Sequence, residues 1–205
     1  MLNKSLALML AVLLAGLIAQ AAASTVAPKT LDNLQTAFNG ESNAQARYLE
    51  FAKQAEAEGY GPVASLFRAA ARAEQVHAAN HARVIKKLGG EPQANIARAE
   101  VKSTAENLQA AIQGETYERD TMYPEFLKEA LRAGNSDAVV TFTLAKTAEA
   151  EHARLYSEAL QQLTTLRGAA ETYYVCTICG YTTKKVDFEK CPSCLNPKDR
   201  YVPVA

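Results

Sequence analysis

The sequence predicts an all-α four-helix bundle with a small β-rich metal module at its C-terminal end. Two observations predict it. Four long segments carry apolar residues at helical spacing and end at Gly or Pro stops. From Glu171 onward the helical period is lost, and all four cysteines of the chain fall in that last stretch. The length of 205 residues suits one medium domain and a small appendage. With 22 basic and 22 acidic residues the formal charge is balanced, and nothing has the basic footprint of a nucleic-acid binder.

The first 23 residues stand apart. Lys4 precedes an apolar run from Leu6 to Ala19, followed by small residues, which is the pattern of a secretion signal cut after Ala21 or Ala23. An uncleaved membrane anchor is the alternative, but the apolar run is short against the roughly 20 residues a span requires. The chain has no twin-Arg pair, and no Cys follows the run to carry a lipid. The expectation is an exported, periplasmic protein that acquires its metal outside the cytoplasm.

The first helix is expected from about Leu31 to Glu58, closed by GYGP, and the second from about Val63 to Leu88, closed by GGEP. Gly followed by Pro stops a helix through backbone preference and a lost N–H. Ser103 and Glu106 have capping-box spacing and open the third helix, which runs to about Arg132 with Pro124 inside it as a kink or a tolerated break. The fourth runs from about Asp137 to Leu166. The longest connection, Gly89 to Lys102, lies between the second and third helices, and one long crossover is the topology of ferritin-like bundles. The bundle is therefore placed at residues 31–168 and the cysteine module at 171–205. A module this small cannot be held by an apolar core alone.

Two of the helices repeat one pattern. Glu74 and His77 on the second, and Glu149 and His152 on the fourth, both form E-x-x-H, which puts the two side chains on one helix face. The first helix offers Glu41 and the third Glu115 and Glu118. Two E-x-x-H helices and two Glu helices make the di-metal carboxylate set of a four-helix bundle. Paired divalent ions need bridging anions, and imidazole supplies a neutral nitrogen ligand that suits iron. A single E-x-x-H would read as a solvated pair; two copies using two of the chain's three His do not. The third, His81, has Ala78 three residues before it and reads as a surface or outer-sphere residue rather than a ligand.

In the C-terminal stretch Cys176 and Cys179 form one C-x-x-C, and Cys191 and Cys194 a second. Four thiolates so spaced surround one tetrahedral ion. Gly180 permits the tight turn beneath the first pair. Structural zinc, a redox-active iron and a pair of disulfides are all compatible with the spacing.

On "AFNGESNAQARY", "GETYERDTMYPEF", "AEAEHARLY" and "CTICGY…CPSC", the chain resembles the rubrerythrins, in which a ferritin-like di-iron bundle precedes a rubredoxin-like domain. The resemblance covers about Leu31 to Val204. It implies that Glu74 and Glu149 bridge two irons, with Glu41, Glu115 and Glu118 as further ligands. It implies that His152 binds one iron and that His77 binds the other when reduced, Glu118 replacing it when oxidised. Tyr48 and Tyr123 match tyrosines that hydrogen-bond beside the site. Cys176, Cys179, Cys191 and Cys194 would hold the rubredoxin-type iron, which passes electrons to the di-iron centre for reduction of hydrogen peroxide to water. The family forms homodimers in which the thiolate iron of one subunit serves the di-iron centre of the other. An electron-donor protein is implied as well, and an exported enzyme could not draw directly on cytoplasmic nicotinamide cofactors. The alternatives are ferroxidase and storage in a ferritin-like shell, and a non-enzymatic metal binder with zinc in the cysteine module. Manganese in the bundle is also compatible with a carboxylate-rich site.

Overall fold

The structure is a computed structural model, and it describes residues 28–205. The expected secretion signal at 1–23 lies outside the described residues. Four helical runs form the bundle, the second and third pointing one way and the first and fourth the other: α1 (Pro28–Ala57), α2 (Gly61–Lys87), a third run made of α3 (Thr104–Tyr117), a π-helical turn (Glu118–Met122) and α4 (Tyr123–Arg132), and α5 (Ser136–Gln161). No described helix is long and apolar enough to cross a membrane.

The stops act as the sequence implies. α1 ends at Ala57 before Gly59, whose φ of 80° is open to glycine, and Pro62 sits in the first turn of α2, where its missing N–H costs nothing. Ser103 accepts from the Glu106 N–H and the Glu106 carboxylate accepts from the Ser103 N–H, closing the capping box. Pro124 is tolerated inside the run, as one of the two expectations had it, with a π-helical turn just before it whose extra residue per turn accommodates the proline. The fourth helix stops at Gln161, earlier than expected, and a short 3-10 turn follows at Leu163–Thr165.

The crossover between α2 and α3 carries no secondary structure, so its backbone groups need other partners. A ladder of amides on α1 supplies them. Asn43 donates to Asn95 O at 2.9 Å, Asn39 Oδ1 accepts from Asn95 N at 2.7 Å, and Asn43 Oδ1 accepts from Ala97 N at 2.8 Å.

The buried apolar residues fall into two clusters, one toward each end of the bundle. One contains Tyr48, Phe51, Phe67, Leu108 and Tyr156; the other contains Leu34, Ile85, Tyr123 and Phe142. Between them every helical run crosses a buried polar belt: Glu41 on α1, Glu74, His77 and His81 on α2, Glu115 on α3, and Glu149 and His152 on α5. Burying that many ionisable groups without partners would cost far more than a domain's net stability.

After α5 the chain returns to the α1–α2 turn. Gly168 N donates to Gly59 O at 3.1 Å, and Arg167 donates to Glu58 O at 3.0 Å and stacks on the Tyr60 ring. The module then forms a three-stranded antiparallel sheet in the order β2 (Thr182–Thr183), β1 (Tyr173–Cys176), β3 (Tyr201–Val204). Tyr173 and Val175 of β1 are fully buried and belong to the first apolar cluster. The module is thus packed onto its own bundle along α2 rather than hung from it.

Candidate metal centre

The belt gathers its ligating atoms into two overlapping groups. Glu41, Glu74, His77 and Glu149 bring one atom each within 4.8 Å of one another, and so do Glu74, Glu115, Glu149 and His152. Glu74 and Glu149 are common to both, as two bridging carboxylates would be. His77 Nδ1 lies 2.7 Å from Glu74 Oε2 and 3.0 Å from Glu149 Oε1. His152 Nδ1 lies 3.0 Å from Glu149 Oε2, 3.4 Å from Glu74 Oε1 and 3.6 Å from Glu115 Oε2. Glu118, at the start of the π-helical turn, is in neither group.

The donor set fits a pair of cations. Glu41 Oε2, Glu74 Oε1, Glu115 Oε2, both Glu149 oxygens and His152 Nδ1 are buried and have no hydrogen-bond partner among the described residues. Buried polar atoms are rarely left so, and here they all converge on one place. The charges are crowded too. Burial, then the charges of Glu74 and Glu149, push the Glu115 carboxyl up to about 8. Burial and neighbouring carboxylates hold Glu41 and Glu118 well above the usual range. Glu74 runs the other way: burial opposes it, yet the imidazoles of His152 and His77 beside it bring it down to about 2. Both imidazoles are raised despite burial, His77 chiefly by Glu149 and His152 chiefly by Glu115. Divalent cations relieve this repulsion, and their uptake must displace the protons those groups hold.

The surrounding groups orient the ligands. Tyr48 donates to Glu115 Oε1 at 2.6 Å, and Tyr123 donates to Glu41 Oε1. His81 is not on the surface. It is fully buried, Thr141 donates to its Nδ1 at 3.0 Å, and its Nε2 donates to the Tyr123 oxygen at 3.1 Å. Burial, then His77, lowers its pKa to about 3, so it stays neutral. It therefore backs Tyr123, which backs Glu41. One turn beyond His77, His81 falls on the buried stripe; the missing Glu three residues before it removes it from the ligand set, not from the interior.

The four cysteines stand as a tetrahedral set. Sγ of Cys176 and Cys194 are 3.7 Å apart, and Sγ of Cys179 and Cys191 are 3.6 Å apart. A metal–sulfur bond of about 2.3 Å gives tetrahedral edges of about 3.8 Å, whereas a disulfide needs about 2.05 Å. The disulfide alternative is thereby set aside, and all four thiols are free. Two matching knuckles hold them: Gly180 N donates to Cys176 O and Leu195 N to Cys191 O. Gly180 takes φ 77°, and Leu195 takes φ 59° with its side chain in solvent. A leucine in the left-handed region was not legible in the sequence.

The two centres touch. His77 Nε2 donates to the backbone carbonyl of Cys179 at 3.0 Å, His152 Nε2 meets Thr182 Oγ at 3.0 Å, and Asn80 donates to Ile178 O at 2.9 Å. Nothing in the sequence pattern pointed to Asn80, Thr182 or a carbonyl. The resemblance implied that the thiolate iron would face the other subunit's di-iron site. In the single chain described, its own module makes this contact, with β1 packed into the bundle core.

A family model described as Rubrerythrin matches residues 32–160, which is more than half the chain. The chain belongs to the rubrerythrin family. Nigerythrin from Nitratidesulfovibrio vulgaris is 40% identical over 178 residues, covering 86% of this chain and 87% of nigerythrin. Rubrerythrin-2 from Clostridium acetobutylicum is 37% identical over 175 residues, covering 84% of this chain and 95% of its own. The solved structure of fully reduced, all-ferrous nigerythrin superposes with a TM-score of 0.78 over 85% of this rubrerythrin and 86% of nigerythrin, at 40% identity. As a rubrerythrin, the protein is a ferritin-like bundle with a rubredoxin-like module. Its carboxylate–imidazole belt is a di-iron site and its four cysteines a site for a rubredoxin-type iron. Its coarse function is that of a di-iron oxidoreductase of oxidative-stress defence.

Proposed function

We propose that this rubrerythrin is a peroxidase, reducing hydrogen peroxide to two waters with two protons and two electrons that enter through the four-cysteine iron. The observation that carries this reading is the hydrogen bond from His77 to the Cys179 carbonyl, which joins a thiolate residue to a bundle ligand with no solvent between. A storage protein would have no use for such a link, which weighs against the ferroxidase reading.

In this reading Glu74 and Glu149 would be shared by two ions, with Glu41 and His77 completing one site and Glu115 and His152 the other. Glu118, outside both groups, would be the further carboxylate available to hold an ion in place of His77, as the family resemblance implies. The π-helical turn it opens gives its backbone room to move. When bound, the irons supply Lewis acidity and reducing equivalents to the peroxide oxygens. Tyr48 and Tyr123 hold Glu115 and Glu41 in place while charge changes, and the apolar clusters on either side keep bulk water out. Zinc in the cysteine site would leave the bundle without its relay.

The test is a stopped-flow visible spectrum. Iron-loaded protein is reduced without oxygen, then mixed with hydrogen peroxide and, separately, with dioxygen. The expected result is rapid return of the iron–thiolate colour with peroxide and slow return with dioxygen; equal rates with both oxidants would sink the peroxidase assignment. The reading also includes export to the periplasm, an electron-donor protein and a homodimer. Residues 1–23 support export, and a mature chain that still begins at Met1 would overturn it.

A further inference from the structure

The rubredoxin-like module does more than sit near the bundle site. We propose that Thr182, on β2 of the module, is a positioning residue of the di-metal centre: its hydroxyl fixes the His152 ring so that Nδ1 faces the ion. The inference rests on the metal-centre assignment and not on the peroxidase reading.

The hydrogen-bond logic leaves one arrangement. Thr182 Oγ lies 3.0 Å from the carbonyl oxygen of Gly180 and 3.0 Å from His152 Nε2. A carbonyl only accepts, so the single hydroxyl hydrogen goes to Gly180. The hydroxyl oxygen is then an acceptor toward His152, and Nε2 must carry the hydrogen. That leaves the Nδ1 lone pair for the cluster of Glu74, Glu115 and Glu149, and His152 Nδ1 is a buried atom without a hydrogen-bond partner of its own. His77 repeats the design with a backbone group: its Nε2 donates to Cys179 O and its Nδ1 faces Glu74 and Glu149. Both imidazoles on the two E-x-x-H helices thus have their outer nitrogens held by one short stretch of the module, Cys179 to Thr182.

Thr182 is fully buried, as are both rings, so no water competes for these bonds. Its place is fixed by the sheet, where it pairs with Val175 of β1, itself part of the bundle core. Outer groups of this kind set the ring orientation and basicity of metal-bound histidine, and losing one costs 10–100-fold in affinity. The four-cysteine module is therefore part of the bundle's binding site, and assembly of one supports the other.

The test uses the full chain with zinc in the four thiolates, titrated with cobalt(II) and followed by calorimetry and visible absorption. The unsubstituted chain should take two ions in the bundle. In Thr182→Val, nearly the same shape without the hydroxyl, one of the two should weaken by about 10–100-fold while the other and the thiolate-bound zinc are unchanged. Thr182→Ser should restore binding. In the zinc-filled chain with labelled histidine, nitrogen NMR should show a slowly exchanging His152 Nε2–H that is lost in Val and kept in Ser, with the His77 signal unmoved. A Val variant that binds both ions as the parent does, with that signal intact, would overturn the proposal. A Ser variant that fails as Val does would overturn it too, since packing and not the hydroxyl would then be at work. If the parent chain takes no pair of ions, the metal-centre assignment falls and carries this inference with it.

Discussion

Replacing Glu149 by alanine is expected to strip the bundle of metal and leave the four thiolates occupied, so that bound iron falls from three ions per chain to one. Glu149 is in both ligand groups, and its two oxygens reach the two rings separately, Oε1 to His77 and Oε2 to His152, each at 3.0 Å. Deleting it therefore removes a ligand from both ions at once and also the anion that screens one cation from the other. Even groups outside the coordination shell cost 10–100-fold in affinity when lost, so a shared ligand should cost more than about 100-fold. Turnover of peroxide should drop to background with the iron–thiolate colour intact.

The fold itself should survive. Removing Glu149 lightens the repulsion that raises Glu41, Glu115 and Glu118 but takes a buried partner from His77 and His152, so the chain without metal should melt somewhat lower than the parent without metal yet still fold. What disappears is the extra stability that metal gives by binding only the folded state. The melting temperature of the parent should fall on adding a chelator, and that of Glu149→Ala should not respond at the bundle. Metal analysis that still finds two bundle ions in the variant would refute the shared-ligand role.

The fold was legible because the helices are amphipathic and their stops are chemical. Gly59, Pro62 and the Ser103–Glu106 box each end or begin a helix through a local preference that needs no knowledge of the rest. The belt was legible for a related reason. A helix lines up residues three and four apart, so E-x-x-H written twice announces two faces that must meet. Three things were not written locally. The π-helical turn arises because Pro124 has to be fitted into a continuing run, and a kink and a bulge look alike in sequence. The left-handed backbone at Leu195 copies the Gly180 knuckle without its glycine. The junction between module and bundle is made by a carbonyl of Cys179, an amide of Asn80 and one hydroxyl of Thr182, none of which forms a pattern. That Val175 of β1 joins the bundle core beside this junction is likewise written in no local pattern.

Gly180→Ala should uncouple the two centres, leaving the four thiolates able to hold their iron and weakening the bundle ions through their two histidines. The module approaches α2 so closely here that a Cβ at position 180 would lie 2.2 Å from His77 Nε2 and 2.8 Å from its Cδ2. His77 cannot turn away, since Glu74 and Glu149 hold its other nitrogen, and the backbone of the knuckle is tied to Cys176. What can give is the docking of the module, and a lift of about an ångström would break both the Cys179–His77 and the Thr182–His152 bonds. Displacements of that size cost on the order of 10²-fold where geometry governs the rate. Reoxidation of the thiolate iron by peroxide should slow accordingly, with its spectrum still that of four sulfur ligands. Alanine at φ 77° also carries backbone strain of about 1–2 kcal/mol, which by itself could weaken the knuckle. Gly89→Ala supplies the control, because Gly89 has φ 81° and nothing within 4 Å of its would-be Cβ. It bears the same strain without the clash, and should lose stability but not electron transfer. If Gly180→Ala reoxidises as fast as the parent, the path between the centres does not run through this contact. The thiolate iron would then have to reach a di-iron site by another face of the module, as it would in a dimer that serves its partner.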